Sequence, residues 1–144
     1  MNKLRPSFDI IYLRCCNVIS ERSTCKRRKV GSFLVTEDHR QVVAVGYNGP
    51  ARGLPNDICT NISKSCGCIH AELNCLLPSR PSGKHILYIS CAPCSDCIKH
   101  IINVPDVIEV CYHEEYTDSR ELSSIYNLGR LTNSGIIVKR VEEI

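Results

Sequence analysis

The sequence has 144 residues, of which 43% are hydrophobic, and its formal net charge is +3 at neutral pH. This length suits one domain, and this apolar fraction is sufficient for a hydrophobic core. No apolar run approaches the roughly 18 residues that a membrane-spanning helix needs, and the first residues lack a secretory pattern. We therefore expect residues 1–144 to form one domain of a soluble, cytoplasmic protein with no membrane partner.

The charge and the aromatic residues argue against a protein that binds nucleic acid. A net charge of +3 and a pI of about 8.3 are only mildly basic. The sequence contains no Trp and two Phe, whereas proteins that hold single strands combine a basic groove with aromatic stacking platforms. We expect no nucleic-acid partner.

Hydrophobic periodicity and turn residues predict four helices and five strands. The first half of the chain is predicted to contain a helix over 7–21 with Ser7 as its N-cap, strands over 30–35 and 41–47 joined by a hairpin, and a long loop over 48–67. The second half is predicted to contain a helix over 70–77, a connection over 78–83, a strand over 85–90, a helix over 94–102, a strand over 107–112, a helix over 119–128 and a strand over 136–141. Alternating strands and helices predict an α/β fold with helices on both faces of one sheet. The fold class is therefore a three-layer α/β/α sandwich with a five-stranded mixed sheet.

Two short motifs contain the residue types of a catalytic zinc site. The sequences HAE at 70–72 and PCSDC at 93–97 fit the H-x-E…P-C-x-x-C pattern of zinc deaminases. One imidazole and two thiolates, from His70, Cys94 and Cys97, leave the fourth tetrahedral position for water. Both motifs lie at predicted helix N-termini, where the helix dipole favours thiolate over thiol.

Glu72 supplies the acid–base group that such a site needs. Zinc lowers the pKa of its bound water to about 7, and a neighbouring carboxylate can move the protons of the reaction. Glu72 lies two residues after His70 in the first turn of a predicted helix. A structural zinc site is the alternative explanation, but a structural site has no use for Glu72. We therefore predict hydrolytic deamination with Glu72 as the catalytic residue.

Further segments resemble the cytidine deaminase superfamily and, within it, the deoxycytidylate (dCMP) deaminases. They are KVG at 29–31, GYNG at 46–49, HAELN at 70–74 and EY at 115–116. The resemblance covers nearly the whole chain and implies one CMP/dCMP-type deaminase domain with a cytidine deaminase-like fold. It also implies that the chain converts dCMP to dUMP and ammonia, a step that supplies dTMP synthesis.

The resemblance implies a set of substrate-binding residues as well. Asn48 would bind the deoxyribose, and Tyr116 would lie near the base or the sugar. Ala71 and Ser90 would offer backbone groups to the cytosine edge, and Lys29 would meet the 5′-phosphate. A half-buried surface aromatic is the alternative for Tyr116, and a solvated charge is the alternative for Lys29.

Members of this family are often homohexamers that dCTP activates and dTTP inhibits. The resemblance therefore implies an effector site that includes the GYNG residues, to which Arg52 would add a contact with the extra phosphates: Gly46, Tyr47, Asn48, Gly49 and Arg52. A triphosphate effector would bring Mg²⁺ with it. Acceptance of dCTP as a substrate is an alternative that the sequence leaves open.

Four of the eleven cysteines cluster around the long loop, at Cys25, Cys59, Cys66 and Cys68. Some dCMP deaminases carry a second, structural zinc at matching positions, although with a mixed set of ligands. Here a closed four-cysteine site would be structural, and the basic residues 26–28 would offset its negative charge. Unligated buried thiols are the alternative.

Two other classes of protein share the zinc motif. A nucleic-acid editing deaminase would take its base from tRNA or single-stranded DNA, which the modest charge and sparse aromatic residues disfavour. A regulatory relative would bind nucleotides without turnover, which the complete ligand set and Glu72 disfavour.

Overall fold

The computed structural model describes residues 4–79, 82–118 and 124–144. The elements follow in the order α1 (Phe8–Ser20), β1 (Gly31–Thr36), β2 (Val42–Tyr47), β3 (Gly49–Pro50), β4 (Cys68–Ile69), α2 (Ala71–Leu76), β5 (His85–Cys91), α3 (Ser95–Asn103), β6 (Val107–Glu114), α4 (Ser124–Asn133) and β7 (Ile137–Arg140). Each predicted helix and strand therefore has a counterpart in the structure.

The differences from the predicted elements lie at their ends and in the long loop. Within the described residues α4 begins at Ser124 and runs to Asn133, beyond the predicted end at 128, and the predicted start over 119–123 lies outside the described residues. Residues 80 and 81 of the predicted connection lie outside them too. The loop over 48–67 is flanked by β3 and β4, which pair as a short antiparallel ribbon. Two residues per strand carry no detectable period, so the sequence did not predict this ribbon.

The five longer strands form one mixed sheet in the order β2-β1-β5-β6-β7. β1 is antiparallel to β2 and β5, whereas β6 is parallel to β5 and β7. Parallel neighbours need crossover connections, which contain α3 and α4. One face of the sheet packs against α1 and the other against α2, α3 and α4. The predicted three-layer α/β/α sandwich is confirmed.

The sequence of α1 accounts for where the helix begins and for which of its residues are buried. Ser7 caps α1 by accepting a hydrogen bond from the backbone N–H of Ile10 at 3.3 Å, as predicted. Leu13 and Cys16 of α1 are fully buried against the sheet. Within residues 4–79, 82–118 and 124–144, no helix is long and apolar enough to cross a membrane.

The strand directions bring four chain segments to one edge of the sheet. Because β1 is antiparallel to β2 and β5, the start of β1 lies beside the ends of β2 and β5. Because β6 is parallel to β5, its end lies at the same edge. The segments before Gly31 and after Tyr47, Cys91 and Glu114 therefore meet there.

The helix α2 lies directly on β1 and β2 near this edge. A Cβ atom on Gly46 would lie 2.3 Å from the carbonyl oxygen of Ala71 and 2.7 Å from the backbone nitrogen of Cys75. The hydroxyl of Ser32 donates to the same carbonyl of Ala71 at 2.8 Å. The amide of Asn74 donates to the carbonyl of Tyr47 at 2.8 Å. The start of α2 is thus fixed by glycine packing and by two hydrogen bonds.

We expect Gly46→Ala to destabilise the protein by about 2–3 kcal/mol, because the new methyl group forces α2 away from β2. The free energy of unfolding in urea measures this change. Gly129→Ala is the control, since a Cβ atom at that position in α4 meets nothing within 4 Å. We expect this variant to gain up to about 1 kcal/mol from helix propensity. Equal stability of Gly46→Ala and the wild type would contradict the close packing of α2 on β2.

Candidate active site

His70 and Cys94 occupy equivalent positions at the starts of two helices. His70 is the N-cap residue of α2, with φ −68° and ψ 153°, and Cys94 is the N-cap residue of α3, with φ −73° and ψ 170°. Neither side chain caps its own helix. Cys97 follows in the first turn of α3. The Nδ1 atom of His70 lies 3.4 Å from Cys94 Sγ and 3.2 Å from Cys97 Sγ.

These three side chains fit a zinc ion. Their ligand atoms all lie within 4.8 Å of one another, which matches ligands that surround one ion at about 2.0 Å from nitrogen and about 2.3 Å from sulfur. One imidazole and two thiolates form a donor set that zinc prefers. Cys94 and Cys97 are buried, so water does not compete for the sulfurs. Three protein ligands leave one tetrahedral position for a reactant, as in catalytic zinc sites.

The electrostatics of the three side chains favour metal binding. The pKa of Cys94 is lowered to about 4, because the Cys97 thiol donates a hydrogen bond to it and His70 is in contact. The pKa of His70 is raised to about 9, chiefly by its hydrogen bond with Cys94. The pKa of Cys97 is raised by donating to Cys94 and by burial. A divalent cation would displace the protons that these groups share.

Glu72 lies in the first turn of α2 and is 3% exposed. Burial raises the pKa of its carboxyl group to about 7, although the neighbouring His70 opposes this shift. A carboxyl group with a pKa near neutrality can accept a proton and return it in the same reaction cycle. Glu72 lines the same cavity as His70 and Cys94. The structure therefore places a buried carboxyl group beside the cluster of His70, Cys94 and Cys97, which could hold a metal ion.

The catalytic cavity, which we define as the space lined by His70, Glu72 and Cys94, has a volume of about 190 Å³. It lies at the sheet edge where the four segments meet. Its other walls include Arg27 and Arg28 from the segment before β1, and Tyr116 from the segment after β6. Two guanidinium groups and an aromatic ring give the cavity the chemistry to hold an anion attached to a planar ring.

Three of the five predicted substrate-binding residues line the catalytic cavity, namely Asn48, Ala71 and Tyr116. Lys29 and Ser90 are not among its lining residues. The hydroxyl of Ser90 accepts a hydrogen bond from the backbone N–H of Gly31 at 3.1 Å, so this side chain joins the end of β5 to the start of β1.

Arg27 and Arg28 occupy the position that the sequence assigned to Lys29. Arg28 and Val30 line the cavity, whereas Lys29, between them, does not line it and is exposed. The sequence showed a basic run before the strand, but it did not show which members of that run face inward. The two consecutive arginines were the feature of the sequence that could have indicated the residues lining the cavity.

A second cavity of about 430 Å³ lies near the end of β2. Four of the five predicted effector residues line it: Gly46, Tyr47, Gly49 and Arg52. Asn48 lines the catalytic cavity instead, because neighbouring residues of an extended chain face opposite sides. The sequence missed Arg22, whose guanidinium group lies 5.8 Å from the centre of the Tyr47 ring in this second cavity.

The four predicted cysteines of the second metal site also converge. We call Cys25, Cys59, Cys66 and Cys68 the tetracysteine cluster, and their sulfur atoms lie within 4.8 Å of one another. The backbone N–H of Lys26 donates to Cys59 Sγ at 3.3 Å, and this bond is the main reason why the pKa of Cys59 is lowered to about 7. Four converging sulfurs fit a closed structural metal site.

Comparison with known proteins identifies the family. A sequence model described as the cytidine and deoxycytidylate deaminase zinc-binding region matches residues 6–114. The chain therefore belongs to the cytidine and deoxycytidylate deaminase family. The cluster of His70, Cys94 and Cys97 lies within the matched residues.

Two curated yeast relatives are deoxycytidylate deaminases. The protein of Schizosaccharomyces pombe is 34% identical over an alignment of 141 positions, gaps included, which covers 86% of this chain and 42% of the relative. The protein of Saccharomyces cerevisiae is 31% identical over an alignment of 150 positions, gaps included, which covers 95% of this chain and 46% of the relative. The chain thus spans less than half the length of these two relatives.

One solved structure is similar to this chain over nearly the full length of both chains. The dCMP deaminase of the cyanophage S-TIM5, in complex with dCMP and dUMP, superposes with a TM-score of 0.79 and 27% sequence identity. The match covers 96% of this chain and 99% of the phage chain. The resemblance inferred from the motifs is confirmed.

Proposed function

We propose that the chain is a zinc-dependent hydrolase that converts dCMP and water to dUMP and ammonia, and that residues 1–144 are one domain of this type. The observation that carries the proposal is the buried carboxyl group of Glu72 beside the cluster of His70, Cys94 and Cys97. The similarity to deoxycytidylate deaminases of yeast and phage supports dCMP as the substrate.

The catalytic role of Glu72 follows from its position and its pKa. Zinc, when bound, would lower the pKa of a bound water molecule so that the water is reactive near neutral pH. Glu72 would accept the two protons of that water one after the other, and would deliver the first to the ring nitrogen and the second to the amine that departs from carbon 4 as ammonia. Because Glu72 is buried, bulk water does not compete for these protons. The carboxyl group ends the cycle in the protonation state in which it began.

The two arginines of the catalytic cavity would bind the 5′-phosphate. Nη2 of Arg28 lies 2.6 Å from Glu114 Oε2, and Nη2 of Arg27 lies 3.8 Å from Asp118 Oδ2. A guanidinium group carries five N–H donors, so a carboxylate that orients it leaves donors for a phosphate. Tyr116 would lie against the base or the sugar.

The backbone groups of the cavity walls would contact the cytosine edge. Ala71 lines the cavity at the start of α2, and Ser90 lies at the end of β5, one residue before the cavity wall at Cys91. These contacts rest on the family resemblance and on the closeness of both residues to His70 and Cys94.

Ammonia release tests the substrate assignment. We expect a higher kcat/KM with dCMP than with deoxycytidine or dCTP, because Arg27 and Arg28 line the cavity and would contact a single 5′-phosphate. Preference for dCTP would support the alternative substrate, and deamination of single-stranded DNA or tRNA alone would support an editing enzyme. Absence of ammonia from every cytosine nucleotide would refute the proposal.

Replacing Glu72 tests the proton-transfer role. We expect Glu72→Gln to lower kcat on dCMP by about 10³-fold, because an amide cannot accept the proton of the attacking water. Zinc content should stay unchanged, since Glu72 is not a metal ligand. Glu37→Gln, at an exposed glutamate of the β1–β2 hairpin, is the control and should keep full activity. Substantial turnover by Glu72→Gln would contradict the role.

We also propose that the tetracysteine cluster binds a second, structural zinc ion. Convergence of the four sulfur atoms within 4.8 Å of one another supports this proposal. The basic residues 26–28 directly follow Cys25 and would offset the net negative charge of four thiolates around one Zn²⁺.

Elemental analysis measures the number of zinc ions. We expect two per chain in the wild type, and one in both Cys97→Ser and the double variant Cys59→Ser/Cys66→Ser, because each change removes ligands from one site. Cys91→Ser is the control, since Cys91 is a buried thiol outside both clusters, and it should retain two. One zinc ion per wild-type chain would eliminate the structural site.

The second cavity would bind the effectors. We propose that dCTP activates and dTTP inhibits the enzyme there, with Arg22 and Arg52 near the phosphates and Mg²⁺ accompanying the triphosphate. The separation of this cavity from the catalytic cavity and its two arginines support the proposal. Assembly into a homohexamer and a cytoplasmic location stay predictions from the sequence.

A further inference from the structure

Asn48 links the end of β2 to the segment that carries the two arginines. Its Nδ2 atom donates to the carbonyl of Arg28 at 2.6 Å, and its Oδ1 atom accepts from the backbone N–H of Val30 at 2.8 Å. Its own backbone N–H donates to the carbonyl of Val30 at 3.2 Å. Three hydrogen bonds from one residue therefore hold residues 28–30 in place.

The side-chain amide of Asn48 is oriented by these partners. Its NH₂ group faces a carbonyl and its oxygen faces an N–H, and the flipped amide would oppose donor to donor and acceptor to acceptor. The residue is 6% exposed, so losing either bond would leave a buried polar group without its partner. Two of the four hydrogen-bonding sites of the amide are thus used by the protein backbone, and these two bonds fix its orientation.

The other end of the arginine segment is also anchored. The backbone N–H of Lys26 donates to Cys59 in the tetracysteine cluster, and Cys25 is itself a member of that cluster. Arg27 and Arg28 lie between this anchor and the contacts of Asn48. Their guanidinium groups reach the catalytic cavity from a segment whose two ends are both fixed.

We propose that Asn48 is a positioning residue for recognition of the substrate's 5′-phosphate, and that it acts by fixing the backbone of Arg28. The inference rests on the proposed function, because it requires a nucleoside monophosphate in the catalytic cavity. A hydrogen bond from Asn48 to the deoxyribose, which the family resemblance implies, is the competing assignment. The two assignments differ in which part of the substrate depends on Asn48.

The ratio of kcat/KM for dCMP to kcat/KM for deoxycytidine separates the two assignments, since these substrates differ by the phosphate alone. We expect Asn48→Ala to lower this ratio by about 10- to 100-fold, mainly through the KM of dCMP, because a misplaced guanidinium group loses its phosphate contact. Calorimetry gives the same comparison without turnover, as the affinity for dUMP relative to deoxyuridine. Equal losses on both members of each pair would overturn the positioning role.

A double variant tests whether Asn48 acts through Arg28. Once Arg28→Ala has removed the guanidinium group, adding Asn48→Ala should change the ratio of kcat/KM for dCMP to kcat/KM for deoxycytidine by less than about twofold. The reason is that the effects of two substitutions that act through the same contact are not additive. If Asn48→Ala lowers this ratio by the same factor with and without Arg28→Ala, the result would contradict the inference. Asn103→Ala, at an exposed asparagine that ends α3, is the control and should leave the ratio unchanged.

Folding is checked by thermal unfolding. If Asn48→Ala does not fold, Asn48→Asp replaces it, since an aspartate keeps the acceptor for Val30 and loses the donor to Arg28. We expect this variant to lower the ratio as well, and an unchanged ratio would overturn the positioning role. Wild-type protein that releases no ammonia from dCMP or deoxycytidine would contradict the proposed function and, with it, this inference.

Discussion

The contact between His70 and Cys94, with 3.4 Å between Nδ1 and Sγ, is the constraint on which the rest of the site depends. Each residue begins a different helix, so both helix starts must lie at one point of the sheet edge. For α2 this requires the close packing over Gly46, and for α3 it requires a start directly after β5. The burial of Glu72 and its raised pKa then follow, because the first turn of α2 lies under the cavity.

The tetracysteine cluster is connected along the chain both to His70 and to the segment that carries Arg27 and Arg28. Cys68 of the tetracysteine cluster and His70 of the catalytic cluster are two residues apart, and Cys25 leads directly into the arginine segment. The proposed structural ion in the tetracysteine cluster would fix the chain next to His70 and next to the segment of Arg27 and Arg28. Such an ion would also tie down the long loop, which supplies two of the four cysteines, Cys59 and Cys66.

The sequence was sufficient for the layers of the fold, because helical and strand periods are local properties. The two clusters of ligand residues span distant positions, such as Cys25 and Cys59, and were predicted from the deaminase motif and the family resemblance. The sequence was insufficient where the direction of a side chain depends on the path of a segment outside the regular helices and strands. Lys29 and Arg28 are adjacent in the basic run, yet Arg28 alone of the two faces the cavity. Asn48 and Tyr47 likewise line different cavities. The orientation of the Asn48 amide depends on hydrogen bonds with the backbone of Arg28 and Val30, about 20 residues away in the sequence.

The central claim is that His70, Cys94 and Cys97 hold a zinc ion with one position left for the reacting water. Zinc K-edge X-ray absorption of the Cys59→Ser/Cys66→Ser protein, loaded with one zinc ion per chain, measures that coordination directly. The account predicts two sulfur ligands at about 2.3 Å and two nitrogen or oxygen ligands at about 2.0 Å. Failure of this protein to bind zinc, or a shell with any number of sulfur ligands other than two, would contradict it.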